Sequence, residues 1–499
     1  MLKSKTIVEF GDFQTPHVLA TKMVEILSRL SLKPAIIIEP TCGIGEILFN
    51  AIEHFKPDKA IGVEINAEYT RVAKNRINGH KNIAIFNEDI FSFFKGIDDQ
   101  LSSHCELLFI GNPPWVTNSA LGAISGSNIP HKTNYKNFNG IEAITGKSNF
   151  DIAEYILMCL IDKYSQKNAV FAFLCKTIVA RNLLKWVWQK NLPYATAGIY
   201  PIDSMKYFSA AVDACFFIID FRMKCAQHTC DIYDSIEAKN AISTYGLFED
   251  TLIKDFKRFQ SHNFFGKSDY TWRNGIKHDC SKIMEFDLVN DTLINGLGIK
   301  VDIERDLVYP LLKSSDLQKT AAIRKYVLVT QHSVGEDTHY IKKQYPKTWT
   351  YLEDNQEFFN MRMSSIYKNK PPFSIFSIGK YSFSPFKIAI SGLYKSIHFV
   401  KIGQLGDKSI LVDDTCNFIP CSSEQEADLL LYLLNSKEAT NFFNAVIFWD
   451  SKRPVTTSLL NKLSLSKLAN VLNISSQYHA FMSSNTNTNH IDSNQRSLF

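Results

Sequence analysis

Over the first 220 or so residues, short apolar runs alternate with amphipathic stretches. Between His17 and Leu30, residues Val18, Leu19, Met23, Ile26, Leu27 and Leu30 recur at helical spacing and predict one apolar helix face. Ala35–Glu39 then reads as a buried strand, followed by a helix from about Glu46 to Phe55 and a strand at Lys59–Ile65. A helix over Ala67–Ile77 precedes two further strands, Asn82–Asn87 and the run Leu107–Gly111. Beyond a Gly/Ser/Asn-rich loop at about Val116–Ser148, the pattern predicts a helix from Asp151, a strand Ala169–Cys175 and a helix from Thr177. Short strands separated by helices predict an α/β fold whose parallel sheet is covered on both faces. The last two runs, Ala195–Tyr200 and Val212–Phe221, have no helix pattern between them and predict an antiparallel hairpin at one edge.

After about Met223 the pattern becomes irregular, with lysines and aromatics interleaved and more Pro, Gly and Ser. A long helical stretch is expected from about Glu424 to Phe448, and the polar Asn/Ser-rich end predicts a disordered tail. The expected domains are residues 1–225, residues 226–482 of mixed α+β structure, and the tail 483–499.

Composition narrows this only slightly. A hydrophobic content of 45% with 36 Phe and 20 Tyr fits well-packed globular domains, and a net charge of +5 is compatible with a nucleic-acid partner without requiring one. The ten cysteines are scattered and form no CxxC pair, which predicts reduced thiols in a cytoplasmic protein. Cys225-x-x-His228-x-Cys230 and Cys416/Cys421 lack a second half at zinc spacing, so no metal is expected. No apolar stretch is long enough to span a bilayer, no membrane partner is expected, and the chain is expected to act as a monomer.

The chemistry concentrates at strand ends. Leu107–Gly111 stops at Asn112-Pro113-Pro114-Trp115, where two prolines cannot continue a ladder. The turn offers an amide oxygen, a free backbone carbonyl and an aromatic face, a set suited to a planar molecule with an exocyclic amino group. The strand Ile36–Glu39 runs through Pro40 into Thr41-Cys42-Gly43-Ile44-Gly45 and a helix, a junction at which a ligand can approach the backbone. The next strand ends at Glu64-Ile65, roughly twenty positions on, where doubly wound folds hold a ribose diol. The third ends at Asn87-Glu88-Asp89-Ile90. Three consecutive strands with polar ends predict a nucleoside-bearing ligand; NAD fits poorly because Leu48 stands where a third glycine belongs.

Taken together and in order, these elements resemble the gamma-class (TaqI-like) N6-adenine DNA methyltransferases of restriction–modification systems. The resemblance implies a Rossmann-like, S-adenosylmethionine-dependent methyltransferase fold followed by a DNA target-recognition domain. Phe13-Gln14-Thr15-Pro16 looks like the Phe-x-Thr-Pro element over the methionine end of the cofactor. Glu39, Cys42, Gly43 and Gly45 match the methionine-binding loop, Glu64 with Ile65 the ribose position, and Asp89 with Ile90 the adenine position. Asn112-Pro113-Pro114-Trp115 matches the catalytic tetrad, in which Asn112 also faces the cofactor. Phe150 falls at the element whose aromatic touches the cofactor adenine, and Phe208 at the one that stacks on a flipped base with Trp115. Trp115 stands where Tyr or Phe is commoner, and Glu39 where Asp is frequent.

The implied partner is double-stranded DNA. Lys368, Lys370, Lys380, Tyr381, Lys387, Tyr394, Lys395 and Lys401, with Lys452-Arg453, supply the basic and aromatic interleaving expected along a phosphate backbone. Segments Trp272–Asp279 and Trp449–Pro454 resemble parts of a subgroup of these enzymes. No Asp…Glu-x-Lys nuclease cluster is present, so any cleavage is expected from a separate restriction endonuclease. The competing readings are methylation of an RNA base or of a protein glutamine, and a non-catalytic DNA-binding subunit.

Overall fold

The structure is a computed structural model and describes residues 13–77, 79–96, 101, 105–116, 151–225, 228–260, 264–319 and 323–485. The chain forms two units, Met1–Lys257 and Arg258–Phe499.

The first unit is built on a ten-stranded sheet. In chain order it contains α1 (His17–Ser28), β1 (Ile36–Glu39), α2 (Glu46–Phe55), β2 (Lys59–Glu64), α3 (Ala67–Asn75), β3 (Ile83–Asn87), α4 (Ile90–Gly96) and β4 (Leu107–Gly111). Then follow α5 (Ile152–Tyr164), β5 (Ala169–Lys176), α6 (Thr177–Gln189), β6 (Thr196–Ile202), α7 (Ser204–Phe208), β7 (Ala214–Asp220), β8 (Thr229–Ile232), β9 (Ser243–Phe248) and β10 (Thr251–Ile253). The strands lie in the order β10-β9-β8-β6-β7-β5-β4-β1-β2-β3. From β3 to β5 every pairing is parallel, and β7 runs antiparallel to both β5 and β6. This is the Rossmann-like methyltransferase arrangement. Strands β1, β4 and β7 are buried along their whole length, which explains their unbroken apolar runs.

Four sequence expectations are corrected here. The antiparallel pair β6–β7 forms, but it is not the edge, because β8 adds parallel to β6 and β9 and β10 extend the sheet. For the same reason the unit reaches Lys257 and not residue 225. A short helix, α7, does intervene between β6 and β7; its five residues are too few to show a helical period. In α1 the buried stripe is Leu19, Ala20, Met23, Val24, Ile26 and Leu27, while Val18 faces outward at 59% exposure.

The second unit holds a six-stranded sheet built around Glu285–Val289, Lys325–Leu328 and Val308–Leu312. It also holds a four-stranded sheet in which Phe386–Ser391 lies between Cys416–Cys421 and Val400–Ile402. The long helix expected over 424–448 is two, Glu424–Leu434 and Lys437–Val446, because Ser436 caps the second through the Ala439 N–H. Helix Ser475–Asn485 carries the fold past residue 482, and the remainder of the expected tail lies outside the described residues. All ten cysteines are free. Among the described residues no helix is long and apolar enough to cross a membrane, and no cluster of three His, Cys, Asp or Glu side chains could hold a metal.

Candidate active site

The strand order reverses between β1 and β4, and a cleft opens at their carboxyl ends, where such sheets bind ligands. Its volume is about 1110 Å³, mouth included. Ten of the expected cofactor residues line it: Phe13, Thr15, Glu39, Cys42, Gly43, Glu64, Ile65, Asp89, Ile90 and Asn112. Pro16 and Gly45 stand behind it. Pro16 caps α1, and Gly45 precedes α2 at φ +83°, where an added Cβ would strike the Phe49 ring at 2.7 Å. Cys42 is chiefly a packing residue, since its sulfur lies 2.9 Å from where a Cβ at Gly62 would sit. Phe150 lies outside the described residues.

Each acid has a defined environment. Glu39 is almost fully buried and accepts a hydrogen bond from the Leu48 N–H at 2.9 Å. Burial pushes its carboxyl well above the usual range, nearby Glu64 adds to this, and the Leu48 N–H opposes it. A side chain at Gly111 would crowd Glu39, since a Cβ there would lie 3.3 Å from Glu39 Cγ. Glu64 accepts from the Gly43 N–H at 2.8 Å and the Asn66 N–H at 2.7 Å, so it ties the glycine loop to the end of β2. Asp89 caps α4 by accepting from the Phe91 and Ser92 N–H groups through Oδ1.

Asn112 is held by its amide nitrogen. Nδ2 donates to the Phe13 carbonyl at 2.8 Å and to Thr15 Oγ1 at 3.2 Å. Its Oδ1 is buried without a hydrogen-bond partner among the described residues, as are Thr41 Oγ1 and Trp115 Nε1. A buried acceptor left without a donor costs about 1–3 kcal/mol. The chain thus links the Phe-x-Thr-Pro segment to the Asn-Pro-Pro turn, an interaction no spacing rule reveals. Pro114 lines the cleft, whereas Trp115 packs beside it against Phe13 at 5.4 Å and Phe208 at 5.2 Å between ring centroids. Phe13 and Phe208 are 5.7 Å apart, so the three rings close on one another. A base stacked between Trp115 and Phe208 requires these two to part.

Sequence reasoning missed several lining residues. Tyr69 and Asn66 lie on or before α3, Phe91 on α4, and Ile152 and Ile156 on α5. The α5 residues are brought in when Asp151 caps that helix and pairs with Lys176 at 2.6 Å. In the sequence only the element at Phe150, immediately before Asp151, pointed there.

In the second unit, Lys380, Tyr394, Lys395 and Lys452 are exposed. Arg453 is exposed too, but donates to the backbone carbonyl and carboxylate of Asp414. Two lysines of the interleaved series are structural. Lys387 is 1% exposed and donates to the Ser384 carbonyl, and Lys401 is paired with Glu424 and Asp428. Segment Trp272–Asp279 is also structural: an added Cβ at Gly275 would lie 2.0 Å from the Asp413 carbonyl, and His278 is buried beside Glu285.

No family model matches this chain. It is 44% identical over 478 residues to the type II methyltransferase M.NspV of Nostoc sp., spanning 94% of this chain and 98% of that protein. It is 25% identical over 173 residues to the modification methylase CviBIII of Paramecium bursaria Chlorella virus NC1A, which covers 34% of this chain and 39% of the viral protein. Among solved structures, the type IIL restriction–modification enzyme MmeI in complex with DNA matches 95% of this chain and 68% of its own, with a TM-score of 0.52 and 14% identity. That likeness is one of fold.

Proposed function

The chain belongs to the type II DNA methyltransferases of restriction–modification systems, and we propose that it methylates the exocyclic N6 of an adenine flipped out of duplex DNA. The observation that carries this reading is the buried, unpartnered Oδ1 of Asn112, fixed at the carboxyl end of β4 by the two bonds from its Nδ2. The gamma-class order of the motifs supports adenine as the target base.

The cleft fits S-adenosylmethionine in size and donor set, with a buried carboxyl at one end and acids at the ends of β2 and β3. Glu39 serves the amine, Glu64 the ribose and Asp89 the adenine of that cofactor, which supplies an electrophilic methyl group when bound. An amine beside Glu39 would restore its carboxylate, offsetting the burial that now favours the neutral form.

The target amino nitrogen is a poor nucleophile because its lone pair is delocalised into the ring. Asn112 Oδ1 and the Pro113 carbonyl accept its two hydrogens and draw the nitrogen towards tetrahedral geometry, which localises the lone pair. Fixed dipoles do this without reorganising, and positioning supplies much of the acceleration. A base within a duplex cannot reach the cleft, so flipping is required, with Trp115 and Phe208 closing on the extruded ring. The second unit reads the sequence context, and Lys380, Tyr394, Lys395, Lys452 and Arg453 are its proposed DNA contacts. The modification protects host DNA from a separate endonuclease.

The test is transfer of labelled methyl groups to duplex DNA, followed by digestion to nucleosides. Label in N6-methyldeoxyadenosine supports the reading. Label in another nucleoside, in RNA or in a glutamine peptide refutes it.

A further inference from the structure

We propose that the Trp115 indole N–H donates a hydrogen bond to a sugar–phosphate oxygen of the flipped nucleotide, a contact formed only when the site is occupied. The proposal rests on the base-flipping reading above.

Among the described residues of the first unit, three buried side-chain polar atoms lack a hydrogen-bond partner: Thr41 Oγ1, Asn112 Oδ1 and Trp115 Nε1. Thr41 and Asn112 line the cleft. Trp115 follows Asn112 by three residues in the segment after β4, 5% exposed, with Phe13 and Phe208 against its ring. Stacking alone does not account for it. A phenylalanine ring would stack on a base with no polar atom to bury, whereas an indole carries a donor that no acceptor here satisfies. The arrangement parallels that of Asn112, whose orphan is the acceptor for the target amino group.

Geometry selects the acceptor. An indole N–H lies in the plane of its ring, so it points past a base stacked on the ring face, not at it. The acceptor must lie beside the base, and the oxygens of the same nucleotide's sugar and phosphate are attached there. Trp115 is then a positioning residue as well as a stacking one: it fixes how far the nucleotide swings in.

The test uses the full chain, the variant Trp115→Phe and a duplex carrying the methylation site once mapped. The variant loses an unpaired donor but also part of a buried ring, so the two are compared at a temperature where thermal melts show both fully folded. The variant should bind the duplex roughly tenfold more weakly, the loss of one hydrogen bond. The same loss should persist when the target nucleotide lacks its base but keeps its sugar and phosphate. In protein labelled with nitrogen-15 at its six tryptophans, the indole resonance absent from Trp115→Phe should move downfield when the duplex is added. A resonance that stays in place, or a loss that disappears with the abasic duplex, overturns the proposal. A methylated base other than adenine would overturn the reading of function and leave this contact standing.

Discussion

Replacing Asn112 with alanine should separate stability from catalysis. The side chain donates two hydrogen bonds, to the Phe13 carbonyl and to Thr15 Oγ1. Each is worth about 0.5–1.5 kcal/mol net, so their loss costs about 1–3 kcal/mol. The same substitution removes the buried orphan Oδ1, whose desolvation costs about 1–3 kcal/mol. The two nearly cancel, and Tm should move by no more than a few degrees. Transfer should fall by about 10²–10³-fold, the loss typical of removing one preorganised transition-state partner. Single-turnover methyl transfer reports the chemical step, calorimetry the cofactor affinity and thermal melts the fold. Asn112→Asp should be less stable than Asn112→Ala at neutral pH, because a carboxylate would face the Phe13 carbonyl in place of a donor. Transfer within tenfold of the parent in the alanine variant would refute the reasoning, and so would a large fall in Tm that accounts for the lost activity.

Three further outcomes are expected. Glu64→Ala with Asp89→Ala should abolish saturable S-adenosylmethionine binding in calorimetry on the full chain, and binding that survives both removes the basis for the cofactor site. Lys387 is held by burial at about 7 against an ordinary 10.5; between those values the unfolded chain binds the extra proton, so stability should rise with pH across that window. Lys387→Met should therefore resist urea better than the parent at pH 7, with a gain that shrinks towards pH 10, and a constant gain would refute this. Lys395→Ala should weaken binding to all duplexes and flatten the salt dependence by about one unit of slope; an unchanged slope would remove Lys395 from the interface.

The sheet and its ligand end were legible because each buried strand is an unbroken apolar run that ends in a polar or glycine residue. Glu39, Glu64, Asp89 and Asn112 could be placed from spacing alone, and all four line one cleft. The reach of the sheet was not legible. Strands such as Thr251–Ile253 are three or four residues long and lie among turns, so no period announces them. Lysines also misled, because Lys387 in a fully buried strand and Lys401 paired to two acids look in sequence like any exposed cation. The bond from Asn112 to Phe13 joins positions 99 apart, and only the folded chain brings them together.

The central claim is that this chain methylates adenine in duplex DNA through Asn112. Its most direct test is modified-base sequencing of DNA from cells that express either the parent chain or Asn112→Ala at equal levels. The account predicts N6-methyladenine at one recurring sequence with the parent and none with the variant. N4-methylcytosine at that sequence, no modified base with the parent, or the same adenine mark with Asn112→Ala would contradict it.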